Sequence, residues 1–174
     1  TMTEHSDKPL EALHLLYTGV QNNVSNSLVL MADRLGFSLT LATPEPAENQ
    51  ESFDADLQAM ITNNPSIMLV ADPRDAIVAA DFIYTDTWID MQYFNDPTKH
   101  AEKTALVAQM QRFQINADLI AGPELKIMHD MPIHNDYEIT EAAVRDPRSI
   151  IFDQAANRLH AQKGLLYWLL VANT

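Results

Sequence analysis

The chain has 174 residues, no cysteine, a formal net charge of −13 and an isoelectric point near 4.6. That length suits one domain able to bury roughly two thirds of its unfolded surface, and the acidity repels phosphate backbones, which excludes nucleic acid as a partner. No run reaches the roughly 18 apolar residues of a membrane span, Thr1–Pro9 has no leader pattern, and a chain without cysteine is expected in a reducing cytoplasm.

Leu13–Tyr17 is an apolar run stopped by Thr18-Gly19 and predicts the first strand. From Asn22 to Leu35, Val24, Leu28, Met31, Ala32 and Leu35 recur at the spacing of one helical face, and Gly36 is placed to close the helix. Phe37–Ala42 predicts a second strand, ended by Pro44 and Pro46. A helix over Glu51–Asn63 and a third strand at Ile67–Val70 follow, and Asp72 caps a short helix through Ala80 with Pro73 in its first turn. Phe82–Tyr84 predicts the fourth strand. Asp86–Pro97 has no period and reads as a long binding loop. Thr98–Phe113 is helical, Asn116–Ala121 predicts a second short helix stopped by Gly122-Pro123, and Leu125–Met128 is the fifth strand. Thr140–Val144 starts a short helix, Ser149–Phe152 is a brief extended piece, and Asp153–Val171 is a long terminal helix. Strands alternating with helices predict one α/β domain over residues 13–174, after a tail at 1–12. Its architecture is a doubly wound, Rossmann-like parallel sheet of about five strands with helices on both faces.

Polar motifs gather at the predicted strand ends, where open α/β sheets hold ligands. Gly19–Val24 opens the first helix and can offer backbone amides to an anion, although Asn22 or Asn23 can equally be a helix cap. A single glycine there is no dinucleotide fingerprint, so no nicotinamide cofactor is expected. Asp86 and Asp90 flank Trp88 and form a seat for an amine by charge-assisted hydrogen bonds. His129, Asp130, His134 and Asp136 have the residue types of a metal site, but Pro132 breaks any regular helix that would align them, and no metal is expected. Arg158 falls at the start of the predicted last helix, against the local dipole. It is either functional there or paired with Asp153 or Glu141.

Six motifs occur in order: Gly19-x-x-Asn22-Asn23-Val24-x-Asn26-Ser27-Leu28, Ala42-Thr43-Pro44, Asp72-Pro73-x-x-Ala76, Tyr84-Thr85-Asp86-Thr87-Trp88-x-x-Met91, His129-x-x-Pro132, and Pro147-Arg148-Ser149 with Asn157-Arg158-x-x-x-Gln162. Together they resemble the carboxy-terminal half of the aspartate/ornithine carbamoyltransferase family, nearest its ornithine branch, over about residues 13–171. The resemblance implies an amino-acid-binding domain that acts with a preceding carbamoyl-phosphate-binding half. The implied reaction converts ornithine and carbamoyl phosphate to citrulline and phosphate, a step of arginine biosynthesis, in a homotrimer built mainly by that other half. By matching position, Asn23 holds the amino acid's carboxylate and Asp86 its α-amino group, while Asp90, Met91 and Met131 line the pocket. His129 and Asp130 lie beside the attacking amine, and Arg158 polarises the carbamoyl carbonyl.

Three departures qualify what is implied. The family's Ser-Thr-Arg-Thr-Arg phosphate motif is absent from this sequence, so the chain alone is expected to be inactive. Asp130 stands where the family has cysteine, and is expected to salt-bridge the attacking ammonium or take its proton. Asp90 stands where the family has serine, which disfavours a carboxylate nearby and opens the alternative of a diamine or another basic amino acid as acceptor. A non-catalytic module binding an amino acid or polyamine is the rival from another class. The two differ at Leu165, Leu166, Trp168 and Leu169, which pack inside a self-sufficient domain but lie exposed where a partner is required.

Overall fold

The structure, a computed structural model, describes residues 1–44, 54–89 and 94–172. Five parallel strands lie in the order β3-β2-β1-β4-β5: β1 His14–Thr18, β2 Ser38–Ala42, β3 Ile67–Val70, β4 Phe82–Thr85 and β5 Lys126–His129. Between them run α1 Asn23–Leu35, α2 Ala55–Asn63 and α3 His100–Met110, and after β5 come α4 Glu141–Val144 and α5 Ile151–Tyr167. This is the doubly wound sheet that the alternation of elements predicts.

Alternation along each strand feeds two cores. Leu15, Tyr17, Leu39, Leu41, Phe82 and Tyr84 meet Val29 and Ala32 of α1 and Leu57 and Ile61 of α2 on one face. Leu16, Ile83 and Ile127 meet Met110, Phe113 and Ile151 on the other. A strand buried on both sides needs apolar residues at consecutive positions, which is why Leu13–Tyr17 reads as a continuous run.

Helix α1 begins at a capping box, the Asn22 side chain accepting from the amides of Val24 and Ser25 while Ser25 returns a bond to Asn22. It ends at Gly36, whose φ of 79° is the left-handed turn a glycine makes without penalty. The segment from Asp72 to Ala80 forms two 3-10 turns instead of one helix, with Asp72 as cap and Pro73 at the first position. Asn116–Ala121 is a set of turns and not a helix: Ile115 bridges Ile139, and Leu119 and Ile120 are both buried, a demand on neighbouring residues that a one-sided short helix cannot meet. In Ser149–Phe152 only Ser149 is extended, bridged to Ile127, and α5 already starts at Ile151. Beyond Ile151 that helix leaves the body of the domain and continues as a π-helical stretch, Trp168–Ala172. Leu165, Leu166, Trp168 and Leu169 are 56%, 57%, 52% and 49% exposed. Among the described residues no helix is long and apolar enough to cross a membrane.

Candidate functional site

Because β1, β4 and β5 are parallel, the turns that follow them open on one rim. There β1 is flanked by β2 on one side and β4 on the other, the arrangement at which such sheets carry ligand crevices. The turn after β1 lies close to the one after β4. Gly19, at φ +138°, allows this: a Cβ there would lie 3.2 Å from Thr85 Oγ1 and 3.3 Å from Trp88 Nε1.

Three polar side chains from three turns meet. Asn22 Nδ2 donates to Asp86 Oδ2 at 2.7 Å, and the Thr87 amide donates to Asp86 Oδ1 at 2.6 Å. Asp130, from the turn after β5, lies close enough to Asp86 for the two carboxyl groups to act on each other's charge, while its Oδ1 is buried without a hydrogen-bond partner. Burial, and then the charge of Asp86, push the Asp130 carboxyl up to about 7, against a smaller pull from His129. Two carboxyl groups held this close disfavour double ionisation, which together with burial brings Asp130 near neutrality. Below the pair lie Tyr17 and Tyr84, ring centroids 5.9 Å apart and edge to face. Burial first, and the carboxylates second, raise both phenols above their ordinary range, so both stay neutral. Tyr17 donates to Val20 O at 2.9 Å, and Gln154, which acts on the Tyr84 phenol, accepts the His129 amide through Oε1 at 3.0 Å.

The turn itself is clamped from behind. His129 is fully buried; its Nδ1 accepts from the Met131 amide at 2.8 Å and its Nε2 lies 3.2 Å from Glu138 Oε1. Glu138 Oε1 also accepts the His134 amide at 2.6 Å. Met131 sits at φ 59°, and its peptide bond to Pro132 is cis. His134 turns away, its Nδ1 2.7 Å from Thr87 Oγ1 and its ring stacked on Phe94 at 3.8 Å.

The residues singled out from the sequence therefore divide. Asp86 and Asp130 come together, with Met131 following Asp130 and packed on the core. Asn23 is the first residue of α1 and its side chain is exposed; its neighbour Asn22 is both the cap and the residue that touches Asp86. The spacing Asn22-x-x-Ser25, a capping-box pattern, is the signal that distinguishes them. His129 ends β5 at the start of the turn, and both its ring nitrogens are engaged, by Met131 and Glu138. Arg158 is not at a helix start: α5 begins at Ile151, which leaves Arg158 roughly two turns in, so the dipole argument for it falls. It is exposed, its charge acts on Tyr84, and the partners suggested for it are engaged elsewhere, Asp153 with His5 and Glu141 with Arg145. Asp90 and Met91 lie outside the described residues. Tyr17, Tyr84, Glu138 and Gln154 escape a sequence reading because nothing local separates them from ordinary strand, loop and helix residues.

A pair of carboxyl groups beside two neutral phenols is suited to an ammonium group. Comparison with known proteins bears on this. A family model, "Aspartate/ornithine carbamoyltransferase, Asp/Orn binding domain", matches residues 11–169. The chain is 37% identical over 175 residues to an ornithine carbamoyltransferase of Nitrobacter winogradskyi, covering 99% of this chain and 53% of that protein. It is 38% identical over 173 residues to one of Methanococcus maripaludis, covering 97% and 55%. The crystal structure of ornithine carbamoyltransferase from Thermus thermophilus aligns with a TM-score of 0.77 at 32% identity, over 97% of this chain and 52% of that one. The enzyme from Pyrococcus furiosus aligns at 0.78 and 32%, over 95% and 52%. The chain thus spans about half the length of the curated relatives it matches. With the fold, the motif order and the matched residues in agreement, the chain belongs to the aspartate/ornithine carbamoyltransferase family, as its Asp/Orn-binding domain.

Proposed function

We propose that this chain is the amine-binding half of an ornithine-carbamoyltransferase-like enzyme, completed by a carbamoyl-phosphate-binding half that is not in this sequence, and inactive without it. The observation that carries the reading is the convergence of Asn22, Asp86 and Asp130 at the ends of β1, β4 and β5. In this reading Asp86 receives the α-ammonium of the acceptor, and Asn23, one residue beyond the cap, is positioned to reach its carboxylate. By matching position in the family, Asp90, Met91 and Met131 are assigned to the same pocket. The attacking amine must lose a proton before its lone pair can bond to the carbonyl carbon of carbamoyl phosphate. Asp130, held near neutrality by burial and by Asp86, takes that proton. The carbon–oxygen bond to phosphate then breaks and phosphate leaves, with Arg158 stabilising the charge on the carbonyl oxygen in the closed enzyme. His129 holds the turn that presents Asp130.

Support for the missing half comes from α5. The apolar residues of α5 and of the π-helical stretch that continues it, exposed from Leu159 to Leu170, form the kind of patch that marks an interface, and the relatives are about twice as long as this chain. We assign that patch to the other half of the enzyme, with which a cytoplasmic homotrimer would form. Asp90 in place of a serine disfavours a carboxylate nearby, so a diamine or another basic amino acid is the alternative acceptor.

The test is calorimetric titration of the chain with L-ornithine, putrescine and L-aspartate, followed by assay of citrulline formation after reconstitution with a carbamoyl-phosphate-binding half from an ornithine carbamoyltransferase. Ornithine bound in preference to aspartate, abolished by Asp86→Asn, is the expected result. Putrescine bound in its place selects the alternative acceptor. Indifference to all three amines, with no activity on reconstitution, refutes the amine site.

A further inference from the structure

Glu138 is wholly buried, outside the strands, and assigned no part in the reaction above. Burying a carboxylate is costly unless its oxygens are engaged, yet Oε2 makes no hydrogen bond with the protein and only Oε1 is used. A side chain there merely to fill space would be apolar. What Oε1 does is specific: it accepts the His134 amide at 2.6 Å and the His129 ring at Nε2, 3.2 Å away.

We infer that Glu138 is the positioning residue of the site, selecting the Nε2–H tautomer of His129 so that Nδ1 is free to accept the Met131 amide and the turn presents Asp130 to Asp86. The chain of contacts is continuous. Because a carboxylate oxygen can only accept, the shared proton must sit on His129 Nε2. A neutral imidazole then has a lone pair at Nδ1, and the Met131 amide points at it over 2.8 Å. That bond holds Met131 at φ 59°, a left-handed conformation a non-glycine residue enters at a cost. Asp130 lies between these two anchored residues, so its backbone is fixed on both sides. The second anchor of the clamp is the return strand of the loop: Ile115 N donates to Glu138 O at 2.9 Å, and Gln114 Nε2 donates to the carbonyls of Asp136 and Tyr137 at 3.0 and 2.9 Å. A proton relay from Asp130 through His129 to Glu138 is the competing role, but Nδ1 is already occupied and lies 3.6 Å from Asp130 Oδ1, beyond a hydrogen bond.

The inference deepens the proposed function and takes from it the importance of Asp130; its test uses no substrate, so the two can fail separately. The chain, labelled with 15N at histidine and 13C at the aspartate carboxyls, is followed by NMR from pH 5 to 8. In the unaltered chain His129 shows one tautomer, protonated at Nε2, and the Asp130 carboxyl titrates near neutrality. Glu138→Gln keeps an oxygen acceptor in place and retains both signatures. Glu138→Leu removes it, mixes the His129 tautomers and returns Asp130 toward the ordinary carboxylate range. Glu138→Asp, too short to reach both donors, gives the same changes where the leucine variant does not fold. An unaltered tautomer and Asp130 titration in the Leu or Asp variant overturns the inference. So does a Glu138→Gln variant disturbed as much as the others, which would make the charge, and hence the relay, the essential property.

Discussion

At the scale of single residues, the proposed chemistry turns on Asp130. Its carboxyl is raised from 3.8 to about 7 in the folded chain, so between those values the native state holds a proton the unfolded chain has lost. Native stability from this group is therefore fully present below the unfolded value, and falls as pH rises toward 7. Asp130→Asn is expected to remove that decline and to stabilise the chain at pH 7 by roughly 1–2 kcal/mol, after allowance for partial exposure and coupling to Asp86. Urea denaturation at pH 4.5 and 7.5 checks it; an equal or lower midpoint for the variant at pH 7.5 contradicts the arrangement. The same linkage predicts that a cationic ligand drives a proton off Asp130. Calorimetry near pH 6.5 in buffers of different ionisation enthalpy should register up to about one proton released per amine bound, and Asp130→Asn should release none.

At the scale of elements, the site depends on how two strand-to-helix turns meet. Asn22 caps α1 and holds Asp86 at 2.7 Å, so Asn22→Ala loses a cap worth about 1 kcal/mol and also frees Asp86. Replacing it by Asp should keep the cap but set a third carboxylate against the pair. We therefore expect Asn22→Asp to retain most of the stability and bind amine with altered affinity, whereas Asn22→Ala loses both; thermal denaturation and amine titration separate the two effects. Gly19→Ala is expected to be harmful for a different reason. At φ +138° with Thr85 Oγ1 and Trp88 Nε1 within 3.3 Å of the added carbon, it costs upwards of about 1 kcal/mol and pushes apart the turns that carry Asn22 and Asp86. A melting temperature within a degree of the unaltered chain would show that the turns do not depend on this close approach.

For the whole molecule, the informative feature is that α5 leaves the domain it belongs to. Ile151 is fully buried, but from Leu159 onward the helix is exposed. Leu166→Lys with Leu169→Lys should therefore leave the denaturation midpoint within about 0.5 kcal/mol of the original, as surface changes do, while reducing self-association of the isolated chain in sedimentation and abolishing capture of the carbamoyl-phosphate-binding half. A loss of about 2–5 kcal/mol, the range for core residues, would place the stripe against its own domain and favour a self-sufficient module.

The sequence by itself determined the class of the fold. Strands buried on both faces must be apolar at consecutive positions, exposed helices must show one apolar stripe, and turns need residues such as Gly19, Gly36 and Asp72 whose local conformational preferences operate before any tertiary contact forms. It also placed Asp86 and Asp130 at strand ends, because a carboxylate directly after an apolar run has few other places to go. What it could not decide was which neighbour of a pair touches Asp86. Asn22 and Asn23 differ by about 100° around a helix, and only the approach of β4 shows that the first meets Asp86. The dipole does not reach Arg158 because it stands seven residues after the start of α5 at Ile151, and the effect is confined to the first turn. Glu138 was invisible for the same reason that it matters: its carboxylate acquires a role only when the chain from β5 folds back and brings it to His129, nine positions away, and a contact between side chains in an irregular loop has no period to read.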